Sequence, residues 1–141
     1  MKRYLFAMFV AVSAAVVFAA CGSKSEAEAE LKAVVLKNME ATQNEDIEGA
    51  LKTLDVPQAQ LDLNRQVMEE LFELYDLEYR LVSFKVVKCE GDTAVVEVVQ
   101  ETKKVSGPAF QDNLTTTEQQ MKKGPDGWKI VGTKIKEMKA L

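Results

Sequence analysis

The side chains able to do chemistry in this sequence are few, and their types restrict what that chemistry could be. The chain contains no histidine, which removes the side chain most suited to proton transfer near neutral pH and the commonest transition-metal ligand. Carboxylates and lysines remain for proton transfer. Glu97 is the one carboxylate inside an apolar run, flanked by Val96 and Val98, where burial could make it a useful acid or base. We favour the alternative, in which Glu97 lies on the solvent face of a half-exposed sheet.

Neutral polar residues form a second group of candidates. Thr115, Thr117 and Gln119 carry hydrogen-bonding groups suited to a polar ligand such as a glycan, although threonine is also simply a good strand former, and we favour that reading. Phe110 follows a Gly-Pro pair and is either an exposed contact residue or packed against the sheet edge. We expect no metal site and no cofactor.

The N-terminal segment has the pattern of a secretory signal peptide. Lys2 and Arg3 precede an apolar run from Tyr4 to Ala20 that only Ser13 interrupts. The run is about 17 residues long, at the lower limit for a membrane-spanning helix. A basic start, a short apolar run and small residues at its end predict that residues 1–20 are a signal peptide.

The end of this run, Phe18-Ala19-Ala20-Cys21-Gly22, resembles the lipobox of bacterial lipoproteins, in which two small residues precede an obligatory cysteine. Phe18 stands where the family usually has an aliphatic residue. The resemblance implies cleavage before Cys21, a diacylglycerol on the Cys21 thiol, and stable anchoring in membrane lipid. Gly22 occupies the position of the Asp that retains many lipoproteins in the inner membrane, so the resemblance implies the outer membrane facing the periplasm rather than the inner membrane or the cell surface.

The remaining chain divides into a short tether and one domain. Residues 23–29 are small and charged, which predicts that residues 21–29 are the lipidated cysteine and its tether, and that residues 30–141 form a single domain. Without Lys2 and Arg3, 16 of the 18 basic residues remain against 22 acidic ones, a formal charge of −6. This acidic balance argues against nucleic acid as a partner.

The second cysteine is Cys89. With Cys21 assigned to lipid, we expect Cys89 to serve as a small apolar residue at a strand end. Pairing between molecules is the less favoured alternative.

The spacing of apolar residues predicts three helices followed by four antiparallel strands. The first helix runs from Glu30 to about Gln43, and the second follows a capping sequence that includes Asp46. The third begins at an Asp55 cap and is predicted to be the longest. From Asp76 the apolar period changes to two, which indicates strands separated by turns at 90–92, 107–112 and 124–127, with a β-bulge near Leu81-Val82. The predicted fold class is a segregated α+β domain.

Three short segments are similar to the nuclear transport factor 2-like superfamily: Glu45–Leu51, Gly91–Val96 and Asp126–Val131. The match covers about residues 30–136. The resemblance implies a cone, in which a curved antiparallel sheet wraps a long helix. The superfamily normally has a small strand pair between its second and third helices. Only Asp55 to Pro57 fill that interval here, which implies a shallower pocket than in the superfamily's enzymes.

The hypothesis we favour is a non-catalytic, membrane-tethered binding or accessory domain, because no position matches the pocket acid or acid–histidine pair of the superfamily's isomerases and dehydratases. The first alternative is a small-molecule isomerase- or dehydratase-like enzyme of the same fold. The second is a homo-oligomeric or structural subunit of an envelope assembly. The second strand is apolar on both faces, with Val95 and Val99 opposite Val96 and Val98. We therefore expect a second copy or an envelope protein to cover the sheet face that the helices leave open.

Overall fold

The computed structural model describes residues 23–141; the predicted signal peptide and Cys21 lie outside the described residues. Three helices precede four strands, as predicted. The helices are α1 (Lys24–Gln43), α2 (Ile47–Leu51) and α3 (Gln58–Leu74). The strands are β1 (Asp76–Glu90), β2 (Thr93–Ser106), β3 (Asn113–Gly124) and β4 (Gly127–Ala140). The strands form one antiparallel sheet in the order β1-β2-β3-β4.

The first helix begins at Lys24 rather than at Glu30. Ser23 is its N-cap, and its side-chain hydroxyl accepts a hydrogen bond of 3.3 Å from the backbone N–H of Glu26. Ala27 is buried. The prediction of an extended tether over residues 23–29 is therefore wrong for residues 24–29, which form the first turns of α1. Alanine and glutamate both have high helix propensity, and a serine cap suffices to start the helix.

The sheet wraps α1, a long helix as the resemblance implies, whereas the prediction that the third helix is the longest is wrong. Leu31 and Val35 of α1 pack against one face of the sheet, in a cluster completed by Ala94, Val96, Val98, Met121, Trp128 and Ile130. The helix α1 is also the longest, with 20 residues against 17 in α3. No residue of α3 is buried. The helix that holds the core is thus the one that follows directly after the predicted lipid anchor.

Polar contacts fix both ends of α1 on the sheet. Near its start, Glu30 Oε2 accepts a hydrogen bond of 3.0 Å from the indole Nε1 of Trp128. At its end, the side-chain amide of Gln43 donates to the carbonyl of Leu77 at 3.1 Å and accepts from the backbone N–H of Tyr79 at 2.7 Å. The helix therefore runs from the β3–β4 turn to the opposite end of the sheet, where β1 begins.

The segment between α2 and α3 carries one bridge in place of a strand pair. Leu54 pairs in parallel with Ile130 of β4. The backbone N–H of Asp55 donates to the Ile130 carbonyl at 2.9 Å, and the Ile130 N–H donates to the Thr53 carbonyl at 2.8 Å. Asp55 is therefore not the cap of α3 as predicted; Pro57 is the N-cap, without a side-chain hydrogen bond.

The strand register assigns side chains to the two faces of the sheet, because residues directly opposite each other in an antiparallel pair share a face. Val96 pairs with Val86 and Gln119 and lies on the concave face, against α1. Val95 and Val99 point to the convex face. Both assignments are as predicted, and so is the bulge between Leu81 and Ser83. A second bulge, between Val86 and Lys88, was not predicted.

Trp128 is 6% exposed within the core cluster. We expect Trp128→Ala to lower the free energy of unfolding by about 3–5 kcal/mol, because it removes a large buried aromatic and leaves a cavity. Ile135→Ala in the same strand is the matched control: Ile135 is 61% exposed, so its truncation should cost less than about 0.5 kcal/mol. Denaturant unfolding measures both. A loss below about 1 kcal/mol for Trp128→Ala would contradict the core assignment.

Candidate binding site on the concave face

The concave face changes from apolar to polar along its length. Near the β3–β4 turn it carries the core cluster, and towards the β2–β3 loop it carries neutral polar side chains on β2 and β3. Lys104 follows them on β2, opposite Leu77, and its ammonium donates to the Pro108 carbonyl at 2.9 Å. The cross-strand pairs Gln100–Thr115 and Thr102–Asn113 lie at this end. We call the following six residues the polar band: Gln100, Thr102, Asn113, Thr115, Thr117 and Gln119. Three of the predicted candidates, Thr115, Thr117 and Gln119, therefore lie together.

Hydrogen bonds within the polar band hold its side chains in place. The Gln100 amide donates to Thr102 Oγ1 at 3.1 Å, and the Thr115 hydroxyl donates to Asn113 Oδ1 at 2.9 Å. The Asn113 amide donates to the Gln111 carbonyl at 3.0 Å. Thr102 and Asn113 are buried. The band is thus an ordered hydrogen-bonding surface rather than a set of free side chains.

Gln119 is the exception, because its side-chain oxygen is buried and has no hydrogen-bond partner. A buried acceptor without a partner costs about 1–3 kcal/mol, and such a group in a folded protein calls for an explanation, of which a donor from a water or a ligand is one. Gln119 lies beside Val96, where the apolar core meets the band. The unpaired oxygen therefore marks a position where the O–H or N–H of a ligand can be accepted.

The candidate acid Glu97 lies on the other side of the sheet. It is opposite Glu118 on β3 and Lys85 on β1, on the convex face. Glu101 lies on the same face. Its carboxylate accepts from the Arg80 guanidinium at 3.2 Å and meets Lys103 at 3.3 Å. The hydrogen bond from Arg80 is the main cause that lowers the pKa of Glu101. Glu101 thus holds surface ion pairs, and neither Glu97 nor Glu101 faces the polar band.

Phe110 packs within the loop rather than reaching into solvent. Its ring lies 5.7 Å from that of Tyr75 at an interplanar angle of 59°, an arrangement in the favourable range for aromatic pairs. Gly107, at a φ of 120°, lies so close to the Leu74 carbonyl that a side chain would not fit. The β2–β3 loop is therefore fixed against the end of α3, and Phe110 packs on Tyr75 there rather than against the sheet edge.

A cleft of about 350 Å³ lies at the opposite end of α1. Within it, Glu30 Oε2 meets the Lys123 ammonium at 2.9 Å as well as the Trp128 indole. The hydrogen bond from Lys123 is the largest cause that lowers the pKa of Glu30, followed by the one from Trp128. Lys123 also lies 5.7 Å from the centre of the Trp128 ring. These contacts attach α1 to the β3–β4 turn.

Cys89 lies near the end of β1 and is half buried against the core, as expected. It is also disulfide-bonded, so the expectation that it acts only as a small apolar residue is wrong. Cys89 is the only cysteine in residues 23–141. Residues 23–141 contain no cluster of acidic or cysteine side chains arranged to hold a metal ion.

Gln100, Thr102 and Asn113 belong to the polar band but were not predicted from the sequence. Asn113 could have been found, because it lies two residues before Thr115 and so on the same face of a strand. Gln100 and Thr102 follow an apolar run in β2 and join the band only through the β2–β3 register. No pattern in the sequence gives that register.

The architecture is that of the nuclear transport factor 2-like fold, and solved structures with this fold align over most of the chain. A nuclear transport factor 2-like protein of unknown function from Pseudomonas putida aligns with a TM-score of 0.63 and 15% identity, over 83% of this chain and 94% of that one. A ketosteroid isomerase-like protein from Erwinia carotovora aligns with a TM-score of 0.59 and 19% identity, over 79% and 98% of the two chains. The beta subunit of benzoate 1,2-dioxygenase from Burkholderia mallei aligns with a TM-score of 0.63 and 12% identity, over 76% of this chain and 87% of that one. At these identities the likeness establishes the fold, and the predicted fold class is confirmed.

The particular family follows from the sequence itself. Residues 33–141 match the family described as the C-terminal domain of anti-sigma-I factor RsgI9, and the chain belongs to that family. No curated protein matches the chain. Within residues 23–141, no helix has the length and apolar character needed to cross a membrane.

The prediction that the convex face contacts a second subunit or an envelope protein has a direct test. Val95 and Val99 are half buried on this face, among the charges of Lys85, Glu97 and Glu118. If an interface covers them, Val95→Lys should dissociate the complex with little change in fold, because an unpaired ammonium would be buried. Sedimentation of the full chain, with circular dichroism for the fold, provides the measurement. An unchanged sedimentation coefficient in Val95→Lys would exclude this face as the interface.

Proposed function

We propose that this protein is a lipid-anchored accessory domain of the bacterial cell envelope that binds an uncharged polar ligand on the polar band and does not catalyse a reaction. The observation that carries this proposal is the buried Gln119 oxygen without a hydrogen-bond partner, at the edge of an otherwise satisfied neutral surface. A ligand that presents hydroxyl or amide donors matches this surface. A charged ligand would find no opposite charge in the band.

The absence of acids around the band supports a non-catalytic role. General acid–base catalysis requires a titratable group within hydrogen-bond reach of the substrate. The band residues pair with Leu81 and Tyr79 on β1, and with Thr133, Ile135, Met138 and Ala140 on β4. None of these is a carboxylate or a lysine. Tyr79, the one titratable side chain among these partners, has its pKa raised by burial, so it stays a neutral hydroxyl.

The comparisons bear on this proposal in two ways. The family takes its name from the C-terminal domain of a larger regulator, which supports an accessory role for such a domain. The ketosteroid isomerase-like neighbour favours the alternative, a small-molecule enzyme of the same fold. That alternative requires an acid or base on the concave face, whereas Glu97 lies on the convex face.

The polar band generates a prediction with a control inside the same strand. Thr115→Val with Thr117→Val removes two hydroxyls at nearly constant volume, and we expect it to weaken binding of a β-1,4-linked N-acetylglucosamine tetramer about tenfold, since each lost hydrogen bond is worth about 0.5–1.5 kcal/mol. Thr116→Val is the control, because Thr116 lies between them on the convex face. Chemical shifts of the side-chain amides of Gln119 and Asn113 follow the titration.

Three outcomes decide between the alternatives. Shifts at Gln119 that need Thr115 and Thr117 but not Thr116 support the proposal. Equal weakening in the control, or shifts confined to the convex-face residues Glu97 and Val99, would contradict it. A tetramer that is chemically altered during the titration would contradict the non-catalytic role.

The lipid anchor has its own test. We expect Cys21→Ser to leave a precursor that is neither cleaved nor acylated, because the lipobox reaction needs the thiol. Cells labelled with a fatty-acid analogue should incorporate label in the wild type and lose it in the variant, and fractionation of the envelope locates the labelled protein. The matched control is Ser23→Ala, which changes a neighbouring residue and should be labelled normally.

The disulfide of Cys89 sharpens this test. The chain has two cysteines in all, so a disulfide between them would leave no thiol at Cys21 for the lipid. Mass spectrometry of the non-reduced protein separates a diacylglycerol thioether from an intramolecular disulfide. A full-length, non-acylated chain with that disulfide would overturn the lipid anchor without affecting the ligand-binding proposal.

A further inference from the structure

The cleft beside the β3–β4 turn is a cavity built from three parts of the fold. The residues that line it come from α1, from the segment after α2 and from the turn, and include Val34, Lys37, Lys52, Thr53, Asp126 and Trp128. Thr53 and Trp128 are buried and form its floor. Its volume of about 350 Å³ lies in the range of small-molecule sites.

Two lysines are brought to the same end of this cleft by a hydrogen bond between their chain neighbours. The side-chain amide of Asn38 donates to Thr53 Oγ1 at 2.8 Å and to the Ala50 carbonyl at 3.3 Å. This contact attaches α1 to the segment after α2 at the level of Lys37 and Lys52. Both lysine side chains therefore line one cavity.

The positive charges of these lysines are not neutralised by the acids next to them. Lys37 and Lys52 take part in no ion pair within residues 23–141. Glu48, which lies one helical turn before Lys52, is held by Arg65 at 2.7 Å. Glu30 is already bonded to the β3–β4 turn. Two like charges in one cavity are therefore left for a ligand to neutralise.

The remaining acids lie to either side of the two lysines. Glu40 and Asp46 border a neighbouring depression, which Lys37 also borders. Asp126 lines the cleft itself, in the β3–β4 turn. Along α1, Lys37 is seven residues, or about 10 Å, from the Glu30 that contacts this turn. The cleft is thus cationic at the lysine end and carries an unpaired acid at the turn end.

Exposed lysines without a counter-charge have an ordinary explanation, since water and salt screen them. That explanation does not account for two of them lining one cavity over a buried tryptophan. A shortage of acids is not the reason either, because residues 23–141 contain 22 acidic residues and 16 basic ones. The unpaired lysines therefore favour an anion from outside the domain.

We propose that this cleft binds a small phosphate monoester, with its phosphate between Lys37 and Lys52 and its carbon part against Val34 and Trp128. At pH 7 a phosphate monoester carries about −1.5 to −2 charges, which matches two ammonium groups, whereas a carboxylate neutralises only one. Lysine is a common phosphate ligand. The site is separate from the polar band, at the other end of α1, and the inference does not rest on the proposed function.

The test uses the fluorescence of Trp128, which is the only tryptophan of the chain and so reports on this cleft. Full-length protein in phosphatidylcholine vesicles is titrated with inorganic phosphate and with glycerol 3-phosphate, against sodium chloride at the same ionic strength. We expect a saturable change with both phosphates and none with chloride. Vesicles that contain phosphatidic acid present the same phosphate group on a lipid, and they separate a lipid headgroup from a soluble ester.

Variants with matched charge changes locate the binding. Lys37→Gln with Lys52→Gln should weaken phosphate binding at least about tenfold, because both ammonium groups are lost. Lys32→Gln with Lys85→Gln is the control: it removes two exposed lysines outside the cleft and should change the affinity less than about twofold. Asp126→Asn should strengthen binding about twofold to threefold, since it removes a like charge from the cavity. Lys37→Arg with Lys52→Arg should retain binding, which excludes misfolding as the cause of the loss.

The outcomes divide clearly. A change with soluble phosphates alone identifies a soluble ester, and a change with phosphatidic acid as well, or with it alone, identifies a lipid headgroup; both support the site. No saturable change with any of these probes, equal weakening in the Lys32 and Lys85 control, or weaker binding in Asp126→Asn would overturn the inference. The polar band contributes nothing to this signal, so the result is independent of whether the band binds a ligand.

Discussion

The packing of Leu31 and Val35 on the apolar half of the concave face is the interaction on which the rest of the structure depends. It sets where α1 lies, and α1 in turn fixes both ends of the sheet, through Glu30 at Trp128 and through Gln43 at the start of β1. The core residues that pack against Leu31 and Val35 occupy only the half of the concave face near the β3–β4 turn. On the other half the sheet carries the polar band, in which even buried residues such as Thr102 and Asn113 are polar and hydrogen-bonded.

The two faces of the sheet separate two kinds of polar chemistry. On the convex face, carboxylates such as Glu101 are neutralised by an arginine of the neighbouring strand and a lysine of the same strand. On the concave face, amides and hydroxyls satisfy each other with little charge involved. The distribution follows from desolvation: a charge can stay on an exposed face at little cost, whereas a partly enclosed face favours groups that are neutral and hydrogen-bonded. Successive side chains along β2 and β3 point to opposite faces of the sheet, and this alternation is enough to separate the charged residues from the neutral ones.

Much of the fold could be predicted from the sequence, because its signals are local. The change of apolar period at Asp76 marks the first strand, and the bulge at Leu81-Val82 is visible as a slip in that period. The assignment of Val96 to the helix-covered face follows from alternation alone. The start of α1 was not predicted, because a short run of alanine and glutamate has no apolar period and resembles a polar tether. The structure shows that Ser23 caps this run as a helix. The third helix was predicted to be the longest because the first turns of α1 were assigned to the tether.

Only part of the candidate site could be predicted from the sequence, because local signals group residues along one strand but not across two. Thr115, Thr117 and Gln119 stand two residues apart, so one strand sufficed to group them. Grouping them with Gln100 required the β2–β3 register, which depends on the length and conformation of the 107–112 loop. Glu97 was singled out by its apolar neighbours, but chain neighbours in a strand point to opposite faces. Local hydrophobicity therefore described the surroundings of Val96 and Val98 rather than those of Glu97.

The start of α1 at Lys24 has a mechanical consequence. A seven-residue tether would let a domain swing through a radius of roughly 25 Å about its attachment point, whereas a helix that begins at Lys24 leaves only two residues between it and the lipid anchor we propose at Cys21. Helix α1 extends from the β3–β4 turn to the start of β1. With the proposed anchor, the β3–β4 turn would therefore face the bilayer, and the polar band would face away from it, where solutes rather than headgroups would reach it.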